Sequence, residues 1–78
     1  MTSQEARTIL RDALFEDFIL SDEYQDRYYL KEQILEAFPY LAEGAVYRAI
    51  DNANEAVAAP RKAADYIETL VKQFEWDD

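Results

Sequence analysis

Carboxylates are the side chains of this protein best supplied to do chemistry. Their densest run lies between Arg11 and Arg27, where Asp12, Glu16, Asp17, Asp22, Glu23 and Asp26 stand with no basic residue among them. Clustered carboxylates can hold a divalent cation, exchange protons with a substrate, or present a field to a basic partner. Pairs at helical i,i+4 spacing recur in Asp12 with Glu16, Glu32 with Glu36, and Asp51 with Glu55. A di-iron site in a helical bundle would need a Glu-x-x-His element, and a calcium loop would need an Asp-x-Asp-x-Asp-Gly run. The sequence contains neither.

The chain has no Cys and no His, which removes disulfides, zinc sites, thiol nucleophiles and imidazole bases together. Its single Gly rules out a glycine-rich phosphate loop. Ser3 and Ser21 read as helix caps, not as nucleophiles on a strained turn. A paired-carboxylate hydrolase remains chemically conceivable, but a helical bundle of 78 residues offers little concave room for a substrate. The chain is therefore read as non-enzymatic, with no cofactor and no metal.

What remains is charge and aromatic surface. Seventeen acidic residues against eight basic ones give a net charge of -9. The charges are grouped by sign: besides the acidic pairs, Arg7 with Arg11 and Arg27 with Lys31 are basic i,i+4 pairs. Each such pair costs an isolated helix a few tenths of a kcal/mol. Asp22 and Glu23 after Ser21 are ordinary helix-start residues favoured by the macrodipole. Glu16 and Asp17 near the end of the first helix, and Glu75, Asp77 and Asp78 near the end of the last, stand where the macrodipole disfavours anions. Six Tyr and one Trp form the second group. Tyr24, Tyr28, Tyr47 and Tyr66 are expected to pack in the core. Tyr29 and Trp76 lie off the apolar stripes, and Trp76 either serves an interface or folds back over the end of the bundle.

The elements that position these residues follow from periodicity. Thr2 and Glu5 have capping-box spacing, and Ala6, Ile9, Leu10, Ala13 and Leu14 carry a first helix from about Ser3 into the high teens. A second helix runs from Ser21 to Ala37 or Phe38, stopped by Pro39. Leu30, Ile34, Ala37 and Phe38 share one side of it, with Tyr24, Tyr28 and Leu35 about a quarter-turn round. A third helix starts between Leu41 and Ala45 and carries Val46, Ala49, Ile50, Ala53 and Val57. A fourth, with Pro60 as its first residue, carries Ala63, Tyr66, Ile67, Leu70, Val71 and Phe74, supported by a Glu68 to Lys72 pair. The fold class expected is all-α: one domain over residues 1–78, a compact bundle of about four short helices.

Phe38-Pro39, followed by Val46 and Ile50 and then by Ile67 and Leu70, resembles the CUE-type ubiquitin-binding three-helix domain over about half the chain. The segment from Ile50 to Ile67 is longer than that family's pattern, and the chain is not assigned to it.

Together these features point to a small acidic protein-binding regulator or inhibitor that docks on a basic surface of a partner protein. Asp12, Glu16, Asp17 and Asp26 would supply steering, with Tyr24, Tyr28, Tyr29 and Trp76 as anchors. A specific form is a nucleic-acid mimic, since the composition resembles small acidic proteins that phages and mobile elements direct against host nucleic-acid enzymes. The alternative is a self-associating helical subunit, a two-fold homodimer. The acidic surface argues against direct nucleic-acid or membrane binding. Without a basic-then-apolar start, the chain is expected to be cytoplasmic.

Overall fold

Thr2 opens the first helix by the reciprocal hydrogen bonds its spacing predicts. Its backbone N–H donates to Glu5 Oε1 at 3.3 Å, and the Glu5 N–H donates to Thr2 Oγ1 at 3.2 Å. Two backbone donors that the helix cannot satisfy are thereby capped. The computed structural model describes residues 1–14, 27–58 and 62–76, and in it helix α1 spans Ser3–Leu14. Ala6, Leu10 and Leu14, spaced by four, form its buried edge.

Helix α2 spans Arg27–Ala37. The Phe38 N–H still donates to Ile34 O at 2.8 Å, after which Pro39 can supply no donor and the chain turns, Leu41 N–H reaching Phe38 O at 3.1 Å. Helix α3, Glu43–Ala56, follows Ala42 in an extended conformation and buries Val46, Ala49, Ile50 and Ala53. Helix α4 spans Ala63–Lys72 and buries Ala63, Tyr66, Ile67, Leu70 and Val71. Lys62 ahead of it is extended, at φ -84° and ψ 133°, which stops the helix from beginning any earlier. The sequence placed that start at Pro60, which lies outside the described residues.

The four helices touch in a closed ring among the described residues: α1 on α2, α2 on α3, α3 on α4, and α4 back on α1, with neither diagonal pair in contact. Each helix thus needs an apolar arc wide enough for two neighbours, which the stripes read from sequence supply. Tyr66 and Phe38 are the largest fully buried side chains, packed among Leu10, Leu14, Leu30, Ile34, Ile50 and Leu70. The radius of gyration, 11.3 Å, is close to the roughly 11–12 Å of a folded chain of this length. No helix among the described residues is long and apolar enough to cross a membrane.

Tyr66 packs in the core as its position predicts, while Tyr47 is only half-buried. Tyr28 departs from the expectation of core packing: it is 58% exposed. It sits too far round α2 from the Leu30–Ile34–Phe38 edge to reach the core, and the inner position beside it is taken by Lys31.

Candidate functional site

Polar chemistry is concentrated where α2 faces α3. Arg27 and Lys31 are one turn apart on α2, as are Tyr47 and Asp51 on α3, and the two pairs interlock. The Arg27 guanidinium grips Asp51 with two parallel bonds, Nε to Oδ1 at 3.0 Å and Nη2 to Oδ2 at 2.9 Å. The same guanidinium lies 4.2 Å from the centre of the Tyr47 ring. Lys31 Nζ stands 4.3 Å from the Tyr28 ring centre and 5.8 Å from that of Tyr47, and donates to Glu32 Oε1 at 3.2 Å. The basic pair that should repel along α2 is therefore interleaved with aromatic faces and carboxylates.

Titration follows from these contacts. The hydrogen bond from Arg27, with its charge, holds the Asp51 carboxyl below its ordinary range, and Asp51 in turn raises the guanidinium. Glu32 is lowered by hydrogen bonds from Lys31 and then from Tyr28, whose hydroxyl is raised by donating to that carboxylate. Partial removal from water pulls the Lys31 ammonium down, but the bond and charge of Glu32, with help from Tyr47 and Glu43, outweigh it and leave it raised.

A second ion pair ties α1 to α4. Arg7 Nε bonds Glu68 Oε2 and Arg7 Nη2 bonds Glu68 Oε1 at 3.0 Å, while Lys72 Nζ is 3.9 Å from Glu68 as the i,i+4 spacing predicts. Hydrogen bonding and charge from Arg7 lower the Glu68 carboxyl. The carboxylates of Asp12, Glu36, Glu55, Asp65 and Glu75 are different. All are exposed, and none forms an ion pair among the described residues. No group of three or more potential metal ligands gathers among the described residues either.

The other end of α2 carries an aromatic cluster. Phe38 meets Trp76 at 5.2 Å between ring centres and Tyr40 at 6.2 Å, and Trp76 meets Phe74 at 5.9 Å. The Trp76 indole N–H donates to Val71 O at 2.8 Å, so the chain after α4 folds back over the core. Met1, Tyr40, Glu75 and Trp76 line an open cleft of about 310 Å³ beside this cluster.

The anchor residues named from sequence are thus dispersed. Asp12 is exposed on α1, Tyr28 joins the Lys31–Glu32–Tyr47 group, and Tyr29 is 39% exposed on a different side of α2, one residue and about 100° further on. Trp76 lies by Phe38, about 15 Å of helix away from Tyr28. Glu16, Asp17, Tyr24 and Asp26 lie outside the described residues. Sequence reasoning missed the burial of Lys31 and the cluster around Phe38. The available signal for the first was the matching one-turn spacing of Arg27–Lys31 and Tyr47–Asp51 on consecutive helices. Compared with family models, curated proteins and solved structures, the chain has no significant match.

Proposed function

We propose that this protein is a non-enzymatic regulator or inhibitor that docks an acidic surface on a basic surface of a partner protein. The observation that carries the reading is that, among the described residues, exposed carboxylates without an ion-pair partner outnumber exposed cations without one. Arg7, Arg27 and Lys31 pair with Glu68, Asp51 and Glu32, while Arg11, Arg48 and Lys62 are exposed and form no ion pair among the described residues. Asp12, Glu36, Glu55, Asp65 and Glu75 face outward with no such partner among the described residues. Close pairs largely cancel at a distance, so unpaired carboxylates set the field an approaching molecule meets. In a chain of net charge -9, that field favours encounter with a basic surface. Exposed Tyr28 and Tyr29 offer aromatic area for contact once the partner arrives. The ring of helices closes its core within one copy, which favours this reading over a subunit that needs its twin to fold.

The test is capture from a host extract on immobilised protein at low salt, followed by a salt gradient, alongside a variant carrying Asp12→Lys and Glu36→Lys. A discrete partner should elute as salt rises and should be lost or weakened on the variant. Retention that is equal at high salt and on both proteins would refute the electrostatic account. Duplex DNA or RNA added to the captured complex examines the mimic version, which requires the nucleic acid to displace the protein.

A further inference from the structure

Where α1 lies against α2, small residues leave a groove with polar walls. Ala13 of α1 and Gln33, Glu36 and Ala37 of α2 line a hollow of about 290 Å³. Ala13 and Ala37 are half-buried and contribute only methyl groups to it. Gln33 is half-buried too, and its side-chain amide has no hydrogen-bond partner among the described residues. Glu36, three residues on and on the same side of α2, is exposed and forms no ion pair among them.

Backbone charge adds to that of Glu36. Residues 33–37 form the last turn of α2, where the carbonyls carry the negative end of the helix dipole, and no basic residue stands in that turn. The cations of both helices point elsewhere. Arg27 and Lys31 turn toward α3, where they meet Asp51 and the Tyr47 ring. Arg7 pairs with Glu68 of α4, and Arg11, one turn on from it, stands about 160° round α1 from Ala13. No basic residue lies between Arg11 and Arg27 in the chain. The amino terminus is remote as well: Met1 lines the cleft with Tyr40 and Trp76, and about 15 Å of helix separates Ser3 from Ala13.

We propose that this groove receives an arginine side chain from a basic segment of the partner protein. A guanidinium is a flat fork of five donors. Two of them can meet the Glu36 carboxylate and a third the Gln33 amide oxygen, while the aliphatic stem lies along the Ala13 and Ala37 methyls. A lysine ammonium, a compact point charge, does not span both acceptors in this way. The inference rests on the acidic-docking reading and names the place where that partner is gripped. Charge selects this occupant over a second copy, because a two-fold contact here would set one Glu36 against another. The volume, near the lower limit of about 300–1,000 Å³ for ligand pockets, suits one long side chain and not a folded element.

The experiment titrates the full, isotope-labelled chain with an acetylated tri-arginine peptide at low salt and follows the Gln33 side-chain amide and the Ala13 and Ala37 signals by NMR. Tri-citrulline, the neutral counterpart, and tri-lysine are the controls. Tri-arginine should shift all three signals to saturation, tri-lysine should bind more weakly, and tri-citrulline should leave them in place. Glu36→Gln should weaken tri-arginine roughly three- to fivefold, the upper range for a solvent-accessible ion pair. Glu55→Gln, which removes the same charge from α3, should change it less than about twofold. Ala13→Leu fills the groove without touching a charge and should weaken binding at least as much as Glu36→Gln. Gln33→Met should abolish the preference for arginine over lysine, which keeps the test open if Ala13→Leu fails to fold. Equal losses for Glu36→Gln and Glu55→Gln would overturn the groove and leave the acidic-docking reading standing, since binding would then be diffuse. Equal binding of tri-citrulline or of tri-lysine would overturn it by removing the guanidinium from the recognition. Unchanged binding by a folded Ala13→Leu variant would overturn it by placing the peptide elsewhere. No binding of tri-arginine to the unmodified protein would also overturn it, while the salt gradient on captured host protein decides the broader reading separately.

Discussion

Phe38→Ala tests whether the end of the bundle is held as its geometry implies. Phe38 is fully buried and is the ring on which Trp76 and Tyr40 close. Truncating a buried Phe to Ala costs about 3–5 kcal/mol, from lost transfer energy plus the cavity left behind. A domain of 78 residues has about 4–12 kcal/mol of stability in total, so the variant should be strongly destabilised or partly unfolded at room temperature. Phe38→Leu, which fills more of the cavity, provides a measurable case at about 1–2 kcal/mol, equivalent to a fall in Tm of roughly 4–16 °C. Urea denaturation followed by far-UV circular dichroism and by Trp76 emission is the assay. Both probes should give one transition, shifted in midpoint but not in slope. A double-mutant cycle pairing Phe38→Leu with Trp76→Leu should return a coupling of about 0.5–1.5 kcal/mol, as expected for adjacent aromatic rings. A cost below about 0.5 kcal/mol for Phe38→Leu, or a coupling of zero, would refute the packing argument.

Two further outcomes follow from hydrogen bonds. Tyr66→Phe should cost about 0.5–1.5 kcal/mol in urea denaturation, because it removes the bond from the buried hydroxyl to Asn54 Oδ1 at 3.0 Å. Asp51→Asn with Glu68→Gln should lower Tm at neutral pH, and the deficit should shrink as pH falls through about 4 and vanish below it. Both carboxyls are held below their ordinary range in the folded chain, so near pH 4 the unfolded chain binds more protons. Their contribution is therefore complete above the unfolded pKa and is lost on acidification. A Tm gap that stays constant from pH 7 to about 2.5 would count against these pairs.

Sequence by itself determined the helices and their inward faces. Periodicity names the buried edge whenever apolar residues recur at three and four, as Ala6–Leu10–Leu14 and Tyr66–Leu70 do, since a helix has only one register in which they align. Local rules also placed the Thr2 cap, the stop before Pro39 and the Glu68–Lys72 pair, because each depends on residues within four positions. The last helix begins at Ala63 after an extended Lys62, and the start read at Pro60 lies outside the described residues.

Tertiary structure decided everything that needs two helices at once. Only the packing of α2 on α3 shows that Arg27 and Lys31, a repelling pair in sequence, lie among Tyr47, Asp51, Tyr28 and Glu32. Only the return of the chain after α4 brings Trp76 onto Phe38, separated in sequence by two helices, and makes a cleft with Tyr40 and Glu75. Such contacts depend on the angle and distance between elements, which composition and periodicity do not encode. Charge count announced an acidic protein, and the fold decided which carboxylates among the described residues stand exposed outside an ion pair.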